Sequence, residues 1–242
     1  MNNFDPQNHN YEAQAWQAES LRNVRPQTAG EAALEDRVAF IRKVYALFFV
    51  GILFAVGGVM LGFAFPSVMI AAAQHPWIML ILMIGGVMGA QAVRHVPGIN
   101  LLALFGFTTL TGVIISPLLY IVGRNNPVSI FQAGVLTVGI FGGLTAYVFV
   151  SNRDFSFLRG MVTVGLIIVV LSGLFNILFV GSIGLGFALA VATLLLFAGF
   201  VLYDTSNIIR RYPTNEYVAG ALALYLDALN IFLALLRILN RR

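Results

Sequence analysis

The sequence contains no cysteine, which excludes disulfide bonds, thiolate catalysis and zinc sites built on sulfur. Its three histidines are far apart along the chain and form no pair with metal-binding spacing. Only 10% of the residues are charged, whereas a soluble domain has about 25%. The formal charge of +4 comes from scattered residues that cannot form a nucleic-acid-binding face. We therefore expect a membrane protein that binds the lipid bilayer and no nucleic acid.

The first thirty residues also lack an apolar run, so we expect no cleavable signal peptide. The first membrane helix would then target the chain to the membrane. Residues 1–28 are rich in Asn, Gln and Ala, which predicts a disordered polar tail on the cytoplasmic side. Thr28 and Glu31 have the spacing of a capping box, which predicts a helix from about residue 29. We expect residues 29–242 to form a single transmembrane domain.

Hydrophobic residues make up 59% of the chain, and they fall into seven runs of about 17–23 residues. A run of this length, at about 1.5 Å per residue in a helix, crosses a hydrocarbon core of about 30 Å. The runs cover residues 44–65, 77–93, 99–121, 129–150, 160–180, 184–205 and 216–237. The sequence therefore predicts an all-α membrane protein with seven transmembrane helices and short loops.

The lysines and arginines predict the orientation, because they are enriched on the cytoplasmic side of membrane proteins. Most belong to the N-terminal segment and to alternate loops, namely Arg22, Arg25, Arg37, Arg42, Lys43, Arg94, Arg153, Arg159, Arg210 and Arg211. The remainder are Arg124, Arg237, Arg241 and Arg242. The N-terminus should therefore be cytoplasmic. A re-entrant last helix would bring the C-terminal arginines to the same side, but residues 218–236 are long enough to cross, and we favour an external C-terminus.

Two carboxylates, Asp204 and Asp227, lie inside the last two apolar runs. A charge at the centre of a membrane helix costs about 2.5–3.5 kcal/mol on insertion scales, so it usually has a partner. If the sixth helix ends near Arg211 and the seventh begins near Glu216, the two aspartates differ in depth by about 6 Å. Their side chains can then meet in the cytoplasmic half of the membrane.

Two carboxylates at such a separation cannot both be charged at low cost, so we expect them to share a proton and to titrate as a unit. The shared proton would hold the two helices together. Its loss would leave two negative charges that favour a hard cation such as calcium. The residues alone therefore predict a proton-sensitive latch with weak calcium affinity at Asp204 and Asp227.

Other interpretations of the aspartates remain open. Each could be structural, capping a neighbouring helix or pairing with an arginine. An intramembrane aspartyl protease also needs two membrane aspartates on adjacent helices, but its second aspartate follows Gly-x-Gly. Here residues 224–226, Leu-Tyr-Leu, precede Asp227, and no Pro-Ala-Leu motif follows. We therefore expect no catalytic residues and no enzyme activity. Asp154 is expected to be a loop residue that caps the fifth helix.

Several motifs resemble those of the transmembrane Bax-inhibitor-motif family. Residues 202–209 (LYDTSNII) and 224–232 (LYLDALNIF) resemble its last two helices. Residues 151–158 (SNRDFSFL) resemble the loop after its fourth helix, and residues 115–117 (ISP) resemble the end of its third. The resemblance extends from about residue 42 to the C-terminus. It implies a fold in which six helices form two layers around a central seventh helix.

The resemblance also implies a function in the bacterial cytoplasmic membrane. Bacterial members of the family are pH-sensitive calcium leak channels gated by an aspartate pair. This implies that Asp204 and Asp227 are the pH sensor, the gate and the cation-binding residues. An arginine at the cytoplasmic end of the second helix latches the pair, and its position corresponds to Arg94. Calcium would be the transported ion, and no cofactor is implied.

A different role is implied by other bacterial relatives, which have Glu or no acid at these positions and are linked to a membrane-bound AAA+ protease. The alternative function is therefore that of a non-conducting regulator, which binds such a protease or another membrane protein through its tail or helix faces. Both aspartates are present in this chain. Their presence favours the channel.

Overall fold

A computed structural model describes residues 27–151 and 153–240. In these ranges the chain forms the helices α1 Leu34–Ala64, α2 Pro66–Gln74, α3 Pro76–Ala92, α4 Ile99–Asn125, α5 Pro127–Ser151, α6 Arg159–Phe175, α7 Ile183–Arg210 and α8 Tyr217–Leu239. A 3₁₀ turn at Ser156–Leu158 precedes α6, and a π-helical turn at Asn176–Val180 follows it. Within the same ranges there is no strand beyond one β-bridge, between Thr28 and Pro213. The predicted all-α class is confirmed.

The helices that are long and apolar enough to cross a membrane are α1, α4, α5, α6 with its flanking turns, α7 and α8. The pair α2 and α3 meets the same criterion only together, and the two helices are bent by 96° where they meet. The part of the chain that the structure describes therefore has six candidate spans, or seven if the bent pair counts as one. This matches the predicted number at its upper limit.

Helix α3 matches the predicted second apolar run, residues 77–93, but α2 and the bend that separates it from α3 were not predicted. Both helices begin with proline, Pro66 and Pro76. Proline disfavours helical backbone in the residue before it. Phe65 and His75 accordingly have φ of −119° and ψ of 82° and 60°, outside the helical region. The two prolines therefore separate α1, α2 and α3 into distinct helices.

The last helix, α8, is the most enclosed element. It packs against α1, α4, α5 and α7. Half of its apolar stretch is buried, compared with 6–33% for the other candidate spans. Leu222, Leu224 and Ile231 are 0–1% exposed. A helix that is apolar on nearly every face is stable in such a position because its neighbours cover it. This agrees with the predicted central position of the last helix.

Helices α1 and α4 form a close contact that depends on small residues. A Cβ atom added to Gly58 would lie 2.1 Å from the Thr109 carbonyl oxygen, and one added to Gly112 would lie 2.0 Å from the Ala55 carbonyl oxygen. Only glycine allows the two backbones to approach so closely, which is a common way to pack helices in lipid. The contact fixes the wall against which α8 lies.

Contacts at the two ends of the bundle show how far α8 extends. Its first residue, Tyr217, lies under the Lys43 ammonium group, 3.3 Å from the centre of the ring. Just after its last residue, the Asn240 side-chain Nδ2 donates a hydrogen bond of 2.8 Å to the Ser129 Oγ at the start of α5. Since α5 begins at one end of the bundle and ends at the other, α8 runs its full length. Whether the last helix crosses the bilayer stays a prediction.

We call the end of the bundle that contains Tyr217 the basic end. Its lysine and arginine residues are Arg37, Arg42, Lys43, Arg94, Arg153, Arg159, Arg210 and Arg211. The described residues of the opposite end include only Arg124 and Arg237 as basic residues. The asymmetry seen along the sequence is therefore an asymmetry between the two ends of the folded bundle.

Residues 27–30, which we call the N-terminal strap, lie against the loop between α7 and α8. The Ala29 amide donates to the Tyr212 carbonyl oxygen at 2.8 Å, and the Thr214 amide donates to the Gln27 carbonyl oxygen at 3.2 Å. The Thr28 amide donates to Glu31 Oε2 at 3.2 Å, which is one half of the predicted capping box, but the Glu31 amide bonds to the Thr28 backbone carbonyl oxygen instead of its side chain. Helix α1 begins at Leu34 rather than near residue 29. The strap amides bond to the loop instead of starting a helix. The predicted tail lies outside the described residues up to residue 26.

Candidate functional site

The two predicted aspartates lie on neighbouring antiparallel helices at the basic end. Asp204 is in the last two turns of α7, and Asp227 is near the middle of α8. The intervening loop covers only residues 211–216, which keeps the helices side by side. The carboxyl groups of Asp204 and Asp227 form a side-chain hydrogen bond with each other. The structure therefore brings together the two residues that the sequence placed at similar depth.

The pair is largely shielded from solvent. Asp227 is 2% exposed, and Asp204 is half-buried. The Asp227 Oδ2 atom is buried without a hydrogen-bond partner in the described part of the chain. Within the same part, no Lys or Arg forms a salt bridge with either aspartate. A buried carboxylate without a basic partner is costly when charged. Ionisation of the pair would therefore destabilise the contact between α7 and α8.

Three buried hydroxyl groups from different helices lie close together. The Tyr45 hydroxyl of α1 interacts with the hydroxyls of Thr205 in α7, the residue after Asp204, and of Thr145 in α5. Two residues before Asp227, the Tyr225 hydroxyl is hydrogen-bonded to the Thr111 hydroxyl of α4. Sequence reasoning missed these residues, although hydroxyl residues inside apolar runs were a visible signal.

Arg94, the predicted latch, lies in the turn after α3 and contacts the start of α8. Its Nε donates to His95 Nε2 at 3.0 Å and lies 3.8 Å from Glu216 Oε2. Its Nη1 donates to Gln91 Oε1 at 3.4 Å. The structure does not bring Arg94 into a salt bridge with Asp204 or Asp227 in the ranges that it describes. Its carboxylate partner is instead Glu216, the residue before α8.

A cavity of about 380 Å³ opens at the basic end between the ends of α3, α6, α7 and α8. We call it the basic-end cavity. Its charged lining residues are Arg94, Arg159, Arg211 and Glu216, and its aromatic lining residues are Tyr203 and Tyr212. Tyr203 directly precedes Asp204, so the cavity reaches the turn of α7 that bears the aspartate. Neither Asp204 nor Asp227 is among its lining residues.

Tyr212, in the loop between α7 and α8, lies close to the carboxyl groups of Asp204 and Glu216. Burial raises the pKa of the Tyr212 phenol well above its usual value, and the nearby charges of Asp204 and Glu216 raise it further. Negative charge makes it harder to remove a proton from a neighbouring phenol. Tyr212 therefore keeps its hydroxyl hydrogen throughout the physiological pH range.

Asp154 holds the loop after α5 against the end of α7. Its Oδ1 accepts a hydrogen bond from the Ser156 amide at 2.9 Å, and its Oδ2 accepts one from Arg211 Nη2 at 2.8 Å. The hydrogen bond from Ser156 and the interaction with Arg211 lower the pKa of Asp154 to about 2. Stabilisation from this contact is thus present at neutral pH and is lost only as the pH falls toward about 2. Asp154 thus binds the first amide of the 3₁₀ turn and forms an ion pair with the loop after α7, but α6 itself begins without a side-chain cap, so the expected capping of that helix is wrong.

The aspartate pair can supply only part of the coordination shell of a metal ion. Among the described residues there is no group of three or more His, Asp or Glu side chains that could hold a metal ion. Calcium takes about 6–8 oxygen ligands. Two carboxyl groups therefore supply well under a full set of calcium ligands.

Comparisons with known proteins show similarity over most of the chain. The family described as "Inhibitor of apoptosis-promoting Bax1" matches residues 37–242. Bax inhibitor 1 of Schizosaccharomyces pombe is 32% identical over 233 residues, which are 92% of this chain and 83% of the relative. Protein lifeguard 4 of Mus musculus is 32% identical over 212 residues, which are 86% of this chain and 87% of the relative. A membrane protein of Vibrio cholerae is 44% identical over 138 residues, which are 56% of this chain and 61% of the relative.

Proposed function

The chain belongs to the Bax inhibitor family of membrane proteins, and from this membership and the buried aspartate pair we propose that it is a pH-sensitive calcium leak channel. The observation that carries the proposal is the hydrogen bond between Asp204 and Asp227, formed without a basic partner in the described ranges. We place the protein in a bacterial cytoplasmic membrane with its basic end facing the cytoplasm. Calcium is the transported ion, and its transport needs no cofactor.

The gate in this proposal is the contact between α7 and α8. At low pH the two carboxyl groups share one proton, and their hydrogen bond holds α7 against α8 in a closed state. As the pH rises toward neutral the proton leaves. The two buried negative charges then repel each other and attract a hard cation, which favours separation of the helices. Opening is thus driven by a local change in charge at a helix contact.

The Arg94–Glu216 contact gives the gate a second restraint. Glu216 directly precedes α8, and Arg94 belongs to the turn after α3. While the two side chains remain paired, the start of α8 stays next to the end of α3. We therefore assign Arg94 the latch role through Glu216 rather than through a direct bond to the aspartates.

Calcium flux through the purified protein in liposomes tests the proposed activity. We expect protein-containing liposomes loaded with a calcium indicator to take up calcium at pH 7–8 faster than protein-free liposomes. A double variant, Asp204→Asn with Asp227→Asn, should bind calcium more weakly because amides lack the negative charge that calcium prefers. If the wild-type protein conducts no more calcium than empty liposomes at any pH from 5 to 8, the channel proposal is wrong. The non-conducting regulator would then be the better hypothesis.

A further inference from the structure

We propose that the basic-end cavity binds a phosphate-bearing anion between Arg94, Arg159 and Arg211. The three arginines come from the turn after α3, the start of α6 and the loop after α7. They face the same cavity of about 380 Å³, which is large enough for a phosphate group and part of the molecule attached to it. The proposal goes beyond the channel function and does not depend on ion conduction.

The positive charge of the cavity is only partly compensated. Arg159 forms no hydrogen bond or salt bridge with another side chain in the part of the chain that the structure describes. Arg94 lies 3.8 Å from Glu216, which is long for a charge-assisted hydrogen bond. A guanidinium group has five N–H donors, so both arginines have donors left for a ligand.

Arg211 is held in place by two side chains of the segment that precedes α6. Its Nη2 donates to Asp154 Oδ2 at 2.8 Å and to Ser156 Oγ at 2.7 Å. Such contacts fix the guanidinium plane at the rim of the cavity and leave its other nitrogens for a ligand. Planar guanidinium groups match the oxygen geometry of a phosphate and can bind it through two parallel hydrogen bonds. The arginines are thus the appropriate residue type for this ligand.

Neutral donors complete the lining. Tyr203, Tyr212, Asn207 and Gln91 also contact the cavity, and each carries an O–H or N–H group. Tyr212 keeps its proton because burial raises the pKa of its phenol. Glu216 is the carboxylate among the lining residues, and Asp154 pairs with Arg211 from outside the lining, so three arginines stand against two carboxylates. This set of groups favours an anion with several acceptor oxygens over a divalent cation.

The position of the cavity leaves two sources for the phosphate group. Helices α3, α6, α7 and α8 all begin or end at the cavity, which places it near the headgroup layer if these helices cross a bilayer. An anionic phospholipid could insert its headgroup from the side, and a soluble phosphate compound could enter from the cytoplasm. The shared chemistry is a phosphate oxyanion that bridges the ends of α3, α6 and α7.

Thermal unfolding of the full-length protein in an uncharged detergent tests this site. One arm titrates inorganic phosphate against sodium chloride at equal ionic strength. The other arm titrates short-chain phosphatidylglycerol against phosphatidylcholine of the same chain length. The test variants are Arg159→Gln and Arg94→Gln, and the control is Arg153→Gln, an exposed arginine in the same loop as Arg159 that does not line the cavity.

We expect a saturable rise in unfolding temperature with at least one phosphate ligand. Loss of a charge-assisted contact should weaken the apparent affinity about tenfold or more in each test variant, whereas Arg153→Gln should remain within about twofold of wild type. A response to phosphatidylglycerol alone identifies a lipid headgroup, and a response to inorganic phosphate identifies a soluble ligand. The proposal is overturned if neither ligand shifts the wild-type transition, or if the test and control variants respond equally.

Discussion

Asp227 combines deep burial with an unusual choice of partner. It is 2% exposed, and its hydrogen bond is to another carboxyl group, that of Asp204. A lone charge inside a membrane helix costs several kcal/mol, and two adjacent charges cost more. The two residues therefore behave as one proton-binding unit in the proposed mechanism. Neither aspartate alone could provide both the closed hydrogen bond and the repulsion that opens it.

The partner of Arg94 was harder to predict than the position of Arg94 itself. Asp204 and Asp227 were found from the sequence because charges within apolar runs are rare. Arg94 was chosen by its position relative to the helices, and nothing in its neighbours shows that Glu216 is its partner. Glu216 lies far from Arg94 along the sequence, at the end of the loop between α7 and α8. Only folding of the chain brings the Arg94 and Glu216 side chains together.

Removal of the Arg94–Glu216 contact should increase the leak at acidic pH. We expect Arg94→Ala to raise calcium flux at pH 5 about two- to fivefold, since a partly exposed ion pair contributes about 1 kcal/mol or less. Glu216→Gln should have a similar effect, and the double variant should not exceed the larger single effect because both changes break one contact. Liposome flux measurements provide the comparison.

Arg153→Ala is the matched control, since Arg153 is an exposed arginine of the same basic end. Its flux should equal that of the wild type. An unchanged leak in Arg94→Ala would mean that Arg94 serves only as an orientation signal and does not restrain the gate.

At the scale of helices, the α7–α8 hairpin is the best-predicted element. The sequence placed the end of α7 near Arg211 and the start of α8 near Glu216, and the structure has Arg210 and Tyr217. The polar loop between two apolar runs marks these ends clearly. Because both ends were correct, the depth of each aspartate could be derived by counting residues. That is why the contact between them was predictable.

The bend at α2 and the N-terminal strap could not be predicted in the same way. Hydropathy shows that a segment is apolar but not whether it runs along or across its neighbours, so α2 was missed. The hydrogen bond from the Thr28 amide to the Glu31 side chain was predicted from local spacing and is present. Whether the following amides start a helix or bond to a distant loop is decided by tertiary packing. In this protein they bond to the α7–α8 loop.

Substitution of Gly30 should show whether the N-terminal strap stabilises the hairpin. A Cβ at this position would lie 2.7 Å from the Arg210 carbonyl oxygen, which is backbone at the end of α7. We expect Gly30→Ala to lower stability by about 1–3 kcal/mol, because overpacking forces the strap or the helix end to move. Thermal unfolding in detergent measures the effect.

Gly57→Ala provides the control for this prediction. Gly57 lies within α1, and an added Cβ there has no atom within 4 Å among the described residues. In the middle of a helix, alanine should be neutral or slightly stabilising relative to glycine. If Gly30→Ala is as stable as Gly57→Ala, the strap does not dock against α7 as described.

For the whole molecule, the bundle has one enclosed helix and two ends of different charge. Helix α8 is covered by α1, α4, α5 and α7, as expected for a central last helix. The arrangement of the other six helices in two layers stays a prediction. Basic residues concentrate at the end where the strap, Arg94 and the α7–α8 loop meet. This end is expected to face the cytoplasm.

The predicted orientation can be tested by labelling single cysteines, since the native chain has none. We expect a membrane-impermeant maleimide to label Arg242→Cys on intact cells. Asn2→Cys should be labelled only after the membrane is permeabilised, because the positive-inside rule places the N-terminus in the cytoplasm. Equal labelling of both variants on intact cells would show that the two termini lie on the same side, contrary to a last helix that crosses.

The most direct test of the central claim is the pH dependence of calcium flux in single aspartate variants. In liposomes, wild-type flux should rise between pH 5 and pH 8 as the shared proton leaves the pair. Asp204→Asn and Asp227→Asn keep a hydrogen-bonding side chain but remove the coupled titration, so the flux of each variant should be nearly independent of pH. Asp36→Asn, which changes an exposed aspartate in the first turn of α1, should retain the wild-type profile. A full wild-type pH dependence in both Asp204→Asn and Asp227→Asn would contradict the claim that this pair is the proton switch.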